Sequence, residues 1–170
     1  MRNKKVLVLS HTDFDELMMN RGVNDSNVEA LDDEAFISII GTKECLKYYL
    51  DEEETKHYFS DGHPNVLNLD FDDIGRDITW HGHEFKAFTE EQADMVIDFI
   101  EANIDKSFTI HCRAGLSRSQ AVAHAIKELY NDYYNEDNTD FSSLLRDHAN
   151  KDVLAKIKRQ FYKKYDFLQS

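Results

Sequence analysis

The run from Phe108 to Tyr130 restricts the possible folds more than any other part of the chain. Phe108-Thr109-Ile110-His111 is apolar and β-prone, a loop containing Gly115 interrupts it, and an apolar-periodic segment from Ala121 to Tyr130 follows, with Val122, Ala125, Ile126 and Leu129 on one side. A strand, a tight loop and a helix start in immediate succession form a βα unit.

The flanking sequence repeats this alternation. Val6 to Leu9 and Phe36 to Ile40 read as short buried strands, the second ended by Gly41, and Asn65 to Phe71 reads as a third. Thr42 is placed to cap a helix over residues 43–50, and Asp61-Gly62-His63-Pro64 marks a turn. Thr89-Glu90-Glu91-Gln92 is a capping box, followed by Ala93, Val96, Ile97 and Ile100 on one helical face. Two further helices are expected, near Phe141 to His148 and near Asp152 to Leu168, the latter with Leu154, Ile157, Phe161 and Tyr165 at helical spacing. Ser10 to Asp33 shows no clear period and reads as loop with one helical turn around Glu29 to Glu34. Ile74 to Phe88, with Gly75, Trp80, Gly82 and two histidines, reads as a long connection of functional length. The expectation is an α/β fold: a mainly parallel central sheet of four to five strands flanked by helices, with a helical C-terminal end, built as a single domain over residues 1–170.

Charge and cysteine content exclude several function classes. The formal net charge is −13, yet residues 151–170 hold six Lys/Arg against Asp152 and Asp166, so the negative balance belongs to the rest of the chain. An acidic body is unsuited to nucleic acid, and a site for phosphate must create its own local positive potential. Ordinary packing with solvated lysines accounts for the basic last helix. Cys45 and Cys112 make no disulfide framework, Val6 to Leu9 is too short for an export core, and no apolar run spans a bilayer; a cytoplasmic location is expected. His81-Gly82-His83, with His57 or His63, lacks the further ligands a metal site needs, so neither metal nor cofactor is expected.

In α/β sheets ligands sit at the C-terminal ends of strands, where both the cysteine loop and the cluster Asp70, Asp72, Asp73 fall. Cys112 lies before a helix whose first amides are unpaired and whose dipole is positive there, a setting that stabilises a thiolate and holds a phosphate dianion. The amides of Arg113, Ala114, Gly115, Leu116, Ser117 and Arg118 can wrap phosphoryl oxygens, with Gly115 letting the backbone turn. Arg118 can set its planar fork on two oxygens, Ser119 can donate to the cysteine sulfur, and His111 is expected to brace the loop. A thiolate nucleophile also needs an acid for the departing oxygen, and three neighbouring carboxylates repel one another, which favours keeping a proton on one of them.

His111-Cys112-Arg113-Ala114-Gly115-Leu116-Ser117-Arg118-Ser119 resembles the signature His-Cys-x-x-Gly-x-x-Arg-Ser/Thr of the cysteine-dependent protein phosphatases, specifically the small dual-specificity type of the protein tyrosine phosphatase superfamily. The match is specific over about residues 65–130. The resemblance implies a phosphocysteine intermediate on Cys112, phosphoryl binding by Arg118, help from Ser119 in its breakdown, and an upstream aspartate that acts as acid and then as base. Leu69-Asp70-Phe71-Asp72-Asp73 stands where the classical tyrosine phosphatases have Trp-Pro-Asp. Family members place the acid four positions after the last strand aliphatic, here Leu69, which favours Asp73 and leaves Asp72 as the alternative acid. The implied reaction is hydrolysis of phosphotyrosine, with phosphoserine or phosphothreonine, on a phosphorylated protein substrate. The alternatives are a non-protein phosphate, such as a phosphoinositide or an RNA 5′-triphosphate, and a silent phosphate-binding module.

Overall fold

Six of the seven residues of strand β2 (Glu34–Ile40) are buried, the pattern of a strand covered on both faces. Its alternate side chains divide the interior. Ala35, Ile37 and Ile39 face a large core, while Phe36 joins a smaller one with Phe14, Met18, Val28, Phe59 and Val66. The computed structural model describes residues 3–42 and 56–166.

Around β2 stand β1 (Lys4–Ser10), β3 (Val66–Asp70), β6 (Ser107–Cys112) and the two-residue β7 (Thr139–Asp140), in the order β3-β2-β6-β1-β7, every pair parallel. The expected mainly parallel α/β sheet is therefore present, with five strands. In its register Ser10 pairs with Cys112 and Ile40 with Asp70, so the strands end level at one edge. Helices α2 (Glu90–Ala102), α3 (Arg118–Leu129) and α4 (Lys151–Asp166) contribute to the large core, and α1 (His11–Arg21) covers the other face. The capping box of α2 forms as its sequence dictates: Gln92 N–H donates to Thr89 Oγ1 at 3.1 Å, and Thr89 N–H donates to Gln92 Oε1 at 3.0 Å.

The basic last helix is matched by acidic neighbours. Lys164 reaches Glu101 at 2.5 Å and Asp98 at 3.5 Å, Gln160 donates to Asp94 at 3.0 Å, Arg159 approaches Glu90, and Lys158 pairs with Glu128. Its charge is thus directed largely at the acidic sides of α2 and α3.

Three expectations are corrected. The segment after Ser10 is helical, not loop: Ser10 caps it by accepting from Asp13 N–H, and Gly22, at φ 67°, closes it in the left-handed conformation. Its buried stripe is only His11, Phe14 and Met18, too narrow to give a period. Around Glu29 there is a 3₁₀ turn, Val28–Ala30, before β2. The expected helix near 141–148 is instead turns ending in a 3₁₀ segment, Arg146–His148. Tertiary partners serve its polar groups: Ser143 Oγ accepts from Val8 N–H at 2.9 Å, and the Gln120 amide bridges Ser143 O and Leu145 N–H. The long connection of residues 74–88 contains an antiparallel hairpin, β4 (Ile78–Trp80) and β5 (His83–Phe85), turned by His81 and Gly82 at φ 49° and 77°. The expected helix of residues 43–50, Cys45, the acidic run 51–54 and Leu168 lie outside the described residues.

Thr89→Ala removes one half of the capping box and leaves the buried face of α2 intact. It is expected to lower unfolding free energy by about 1 kcal/mol, read from the urea midpoint at unchanged m-value.

Candidate active site

Cys112 ends β6 with only 2% of its surface exposed, and Arg118 opens α3. The loop between them rests on the end of β1. Gly115 has φ 71°, and a Cβ there would lie 2.7 Å from the Leu9 carbonyl carbon and 2.9 Å from Ser10 N. Only glycine permits that approach. Two further contacts fix the loop: His11 N–H, at the start of α1, donates to Arg113 O at 3.1 Å, and Gln120 Nε2 donates to Gly115 O at 3.1 Å.

Ser119 Oγ lies 3.0 Å from Cys112 Sγ. Burial pushes the Cys112 thiol up, but hydrogen bonds from the Ser119 hydroxyl and amide, the Arg118 charge and the Ser117 amide outweigh it, and the net shift is downward. The thiolate is therefore favoured relative to an ordinary cysteine. The guanidinium of Arg118, itself buried, donates through one Nη to Phe71 O at 2.8 Å, tying α3 to the segment that carries the aspartates.

His111 points to the opposite face of the sheet, stacked on Phe14 at 4.4 Å between ring centroids. Burial, reinforced by neighbouring His11, lowers its pKa to about 3, so it is neutral. Its Nδ1 lies 3.4 Å from Cys112 O and its Nε2 lies 2.7 Å from Ser38 Oγ. Ser38 continues to His57 at 2.6 Å, and His57 to Asp70 at 2.5 Å. Nothing in the sequence points to Ser38, and His57 is considered there only as a metal ligand. They are distant from the loop in sequence, and only the parallel register of β2 on β6, with Ser38 opposite His111, brings them together.

The three aspartates have different partners. Asp70 pairs with His57. Asp72 is 2% exposed and accepts three hydrogen bonds, from Thr42 N–H at 2.9 Å, Thr42 Oγ1–H at 2.8 Å and Lys86 N–H at 2.7 Å. It joins the end of β2 to the base of the β4–β5 hairpin. Asp73 is exposed at the cysteine loop: Ser117 Oγ donates to its Oδ1 at 2.8 Å and Asn150 Nδ2 donates to the same oxygen at 2.7 Å. The structure thus gathers Cys112, Arg118, Ser119, Ser117 and Asp73 at one sheet edge and holds Asp72 in the interior.

The histidines considered for a metal fall at separate places in the fold. His81 forms the hairpin turn with Gly82, His57 lies between Ser38 and Asp70, and His63 lies between Asp25 at 2.8 Å and Glu29 at 2.9 Å. No helix among the described residues is long and apolar enough to cross a membrane.

No family model matches the chain, and no curated protein matches it. Solved structures that overlap this chain include PTPMT1 in complex with PI(5)P, at TM-score 0.47 and 16% identity over 100% of this chain and 98% of that one. The human tyrosine phosphatase-like serine/threonine/tyrosine-interacting protein overlaps at TM-score 0.40 and 19% identity, over 86% of this chain and 87% of that one. Tk-PTP in the active form overlaps at 0.43 and 17%, over 94% and 90%. Likeness at this level assigns no role to any residue here.

Two outcomes are expected. Ser119→Ala moves the pH midpoint of Cys112 alkylation by iodoacetamide upward, because a donor to the thiolate is lost; an unmoved midpoint contradicts the geometry. Asp72→Ala leaves two amides and a hydroxyl without their acceptor and costs about 3 kcal/mol in urea unfolding, whereas Asp73→Ala at the exposed rim changes stability by less than about 0.5 kcal/mol.

Proposed function

We propose that the chain is a single catalytic domain that hydrolyses phosphomonoesters through a phosphocysteine intermediate, most naturally on phosphotyrosine, with phosphoserine and phosphothreonine, of a protein substrate. The observation that carries this reading is the convergence on one strand-to-helix loop of a buried, thiolate-favouring Cys112, the Ser119 hydroxyl 3.0 Å from its sulfur, and Arg118, with Asp73 bonded to Ser117 of the same loop. Phosphate binding alone has no use for a nucleophile with its own hydrogen-bond donor.

The reaction proceeds in two displacements. The Cys112 thiolate attacks phosphorus in line with the departing oxygen; the S–P bond forms, the P–O bond breaks, and Asp73 gives its proton to the leaving alkoxide or phenoxide. Amides of residues 113–118 and the Arg118 guanidinium hold the phosphoryl oxygens as charge spreads over them. Water then attacks phosphorus, its proton passes to the Asp73 carboxylate, and the S–P bond breaks. Ser119 donates to the sulfur as it leaves as thiolate, and inorganic phosphate is released. His111, neutral and turned to the other face, shapes the loop through Cys112 O.

Leu116 stands at the loop 44% exposed, and Arg113 is the one cation the loop has besides Arg118. This modest basicity favours a singly phosphorylated side chain over a polyphosphate. A reducing cytoplasm, which keeps Cys112 a thiol, is the compartment that suits this chemistry.

The test is turnover of p-nitrophenyl phosphate with chelator present. Activity in the intact protein and a fall of at least about 10³-fold in Cys112→Ser are expected; an inactive intact protein or a fully active variant overturns the mechanism. On phenyl phosphate, whose leaving group needs a proton, Asp73→Ala should flatten the limb of the pH profile that reports the protonated acid. Substrates trapped from lysate on Cys112→Ser then separate protein, lipid and RNA.

A further inference from the structure

Asn150 stands where three parts of the chain meet. Its Oδ1 accepts from Asp152 N–H at 3.0 Å and Val153 N–H at 3.1 Å, which caps the first turn of α4. Its backbone N–H donates to Ser117 O at 3.1 Å, and its Nδ2 donates to Asp73 Oδ1 at 2.7 Å. The amide orientation is fixed by chemistry. Helix N–H groups require an oxygen, so the NH₂ must face the carboxylate.

Ser117 and Asn150 both donate to Oδ1 of Asp73. An oxygen that accepts two hydrogen bonds is the poorer place for a proton, so the proton of the carboxylic acid belongs on Oδ2. Two donors from different elements also fix the plane of a carboxyl group that is otherwise exposed.

We propose that Asn150 is a positioning residue for the acid step: it holds Oδ1 of Asp73 against Ser117 so that Oδ2 presents its proton to the leaving oxygen. The role rests on the phosphatase reading above. It predicts a defect that depends on how much the leaving group needs that proton. Phenyl phosphate needs it greatly, while p-nitrophenyl phosphate, whose leaving group is stable as an anion, needs it little.

Asn150→Ser keeps a capping oxygen and the backbone bond to Ser117 but withdraws the donor from Asp73. Asn150→Asp keeps size and cap and sets a carboxylate against Oδ1. In both, the ratio of kcat on p-nitrophenyl phosphate to kcat on phenyl phosphate is expected to rise about tenfold, with KM for each ester within about twofold. In an Asp73→Ala background the same substitutions should move the ratio by less than about twofold, since the group being positioned is gone. An unmoved ratio in either variant, or an equal shift with and without Asp73, overturns the role while leaving the phosphatase reading in place. Loss of the cooperative thermal transition in both variants would make Asn150 a purely structural residue and also overturns it. An intact protein that turns over neither ester overturns both readings together.

Discussion

The site depends on the parallel pairing of β1 with β6. Because Ser10 stands level with Cys112, the strand ending in that cysteine has beside it a second strand end, and the cysteine loop folds over that neighbour's backbone. Gly115 makes the approach possible, and the first amide of α1 completes it by donating to Arg113 O. A slip of one residue in this pairing would turn Cys112 to the other face of the sheet and place a different part of β1 under the loop. The large core on one face and the ring cluster of Phe14, Phe36 and Phe59 on the other both oppose such a slip, since each would lose its alternate residues.

The second shared feature is the segment after β3, which is held at successive residues for different purposes. Phe71 O accepts from Arg118, Asp72 binds Thr42 and Lys86, and Asp73 meets Ser117 and Asn150. The backbone bends at Asp73, where Ile74 N–H donates to Asp72 O at 2.9 Å, and the adjacent carboxylates acquire different surroundings. One is buried among donors and holds backbone together. The other stays exposed at the rim of the cysteine loop.

Much of the architecture was legible because it is written locally. The apolar runs at Val6, Phe36, Asn65 and Phe108, the capping box at Thr89 and the loop glycine at 115 each state their role within a few residues. What escaped reading depends on partners far along the chain. α1 buries only His11, Phe14 and Met18, a stripe given meaning by Phe36 and His111 on the sheet. A helix was expected near Phe141 to His148, yet the bonds from Ser143 to Val8 and from Gln120 to Leu145 give that segment a different set of partners. Of the site, Cys112, Arg118 and Ser119 could be read from one contiguous motif. Ser38, His57 and Asn150 carry no local signal, and the different surroundings of Asp72 and Asp73 emerge only from their partners in space.

The strand order also has a consequence for how the molecule is made. β1 is synthesised well before its neighbours β6 and β7, which lie about a hundred residues or more further along the chain. Such distant pairings close late and slowly. The contacts of Asn150 with Ser117 and Asp73 come later still, when the start of α4 docks. A nascent chain that has already set its cysteine loop on β1 would therefore lack those contacts, and the loop's mouth reaches its final form only when the last described helix is in place.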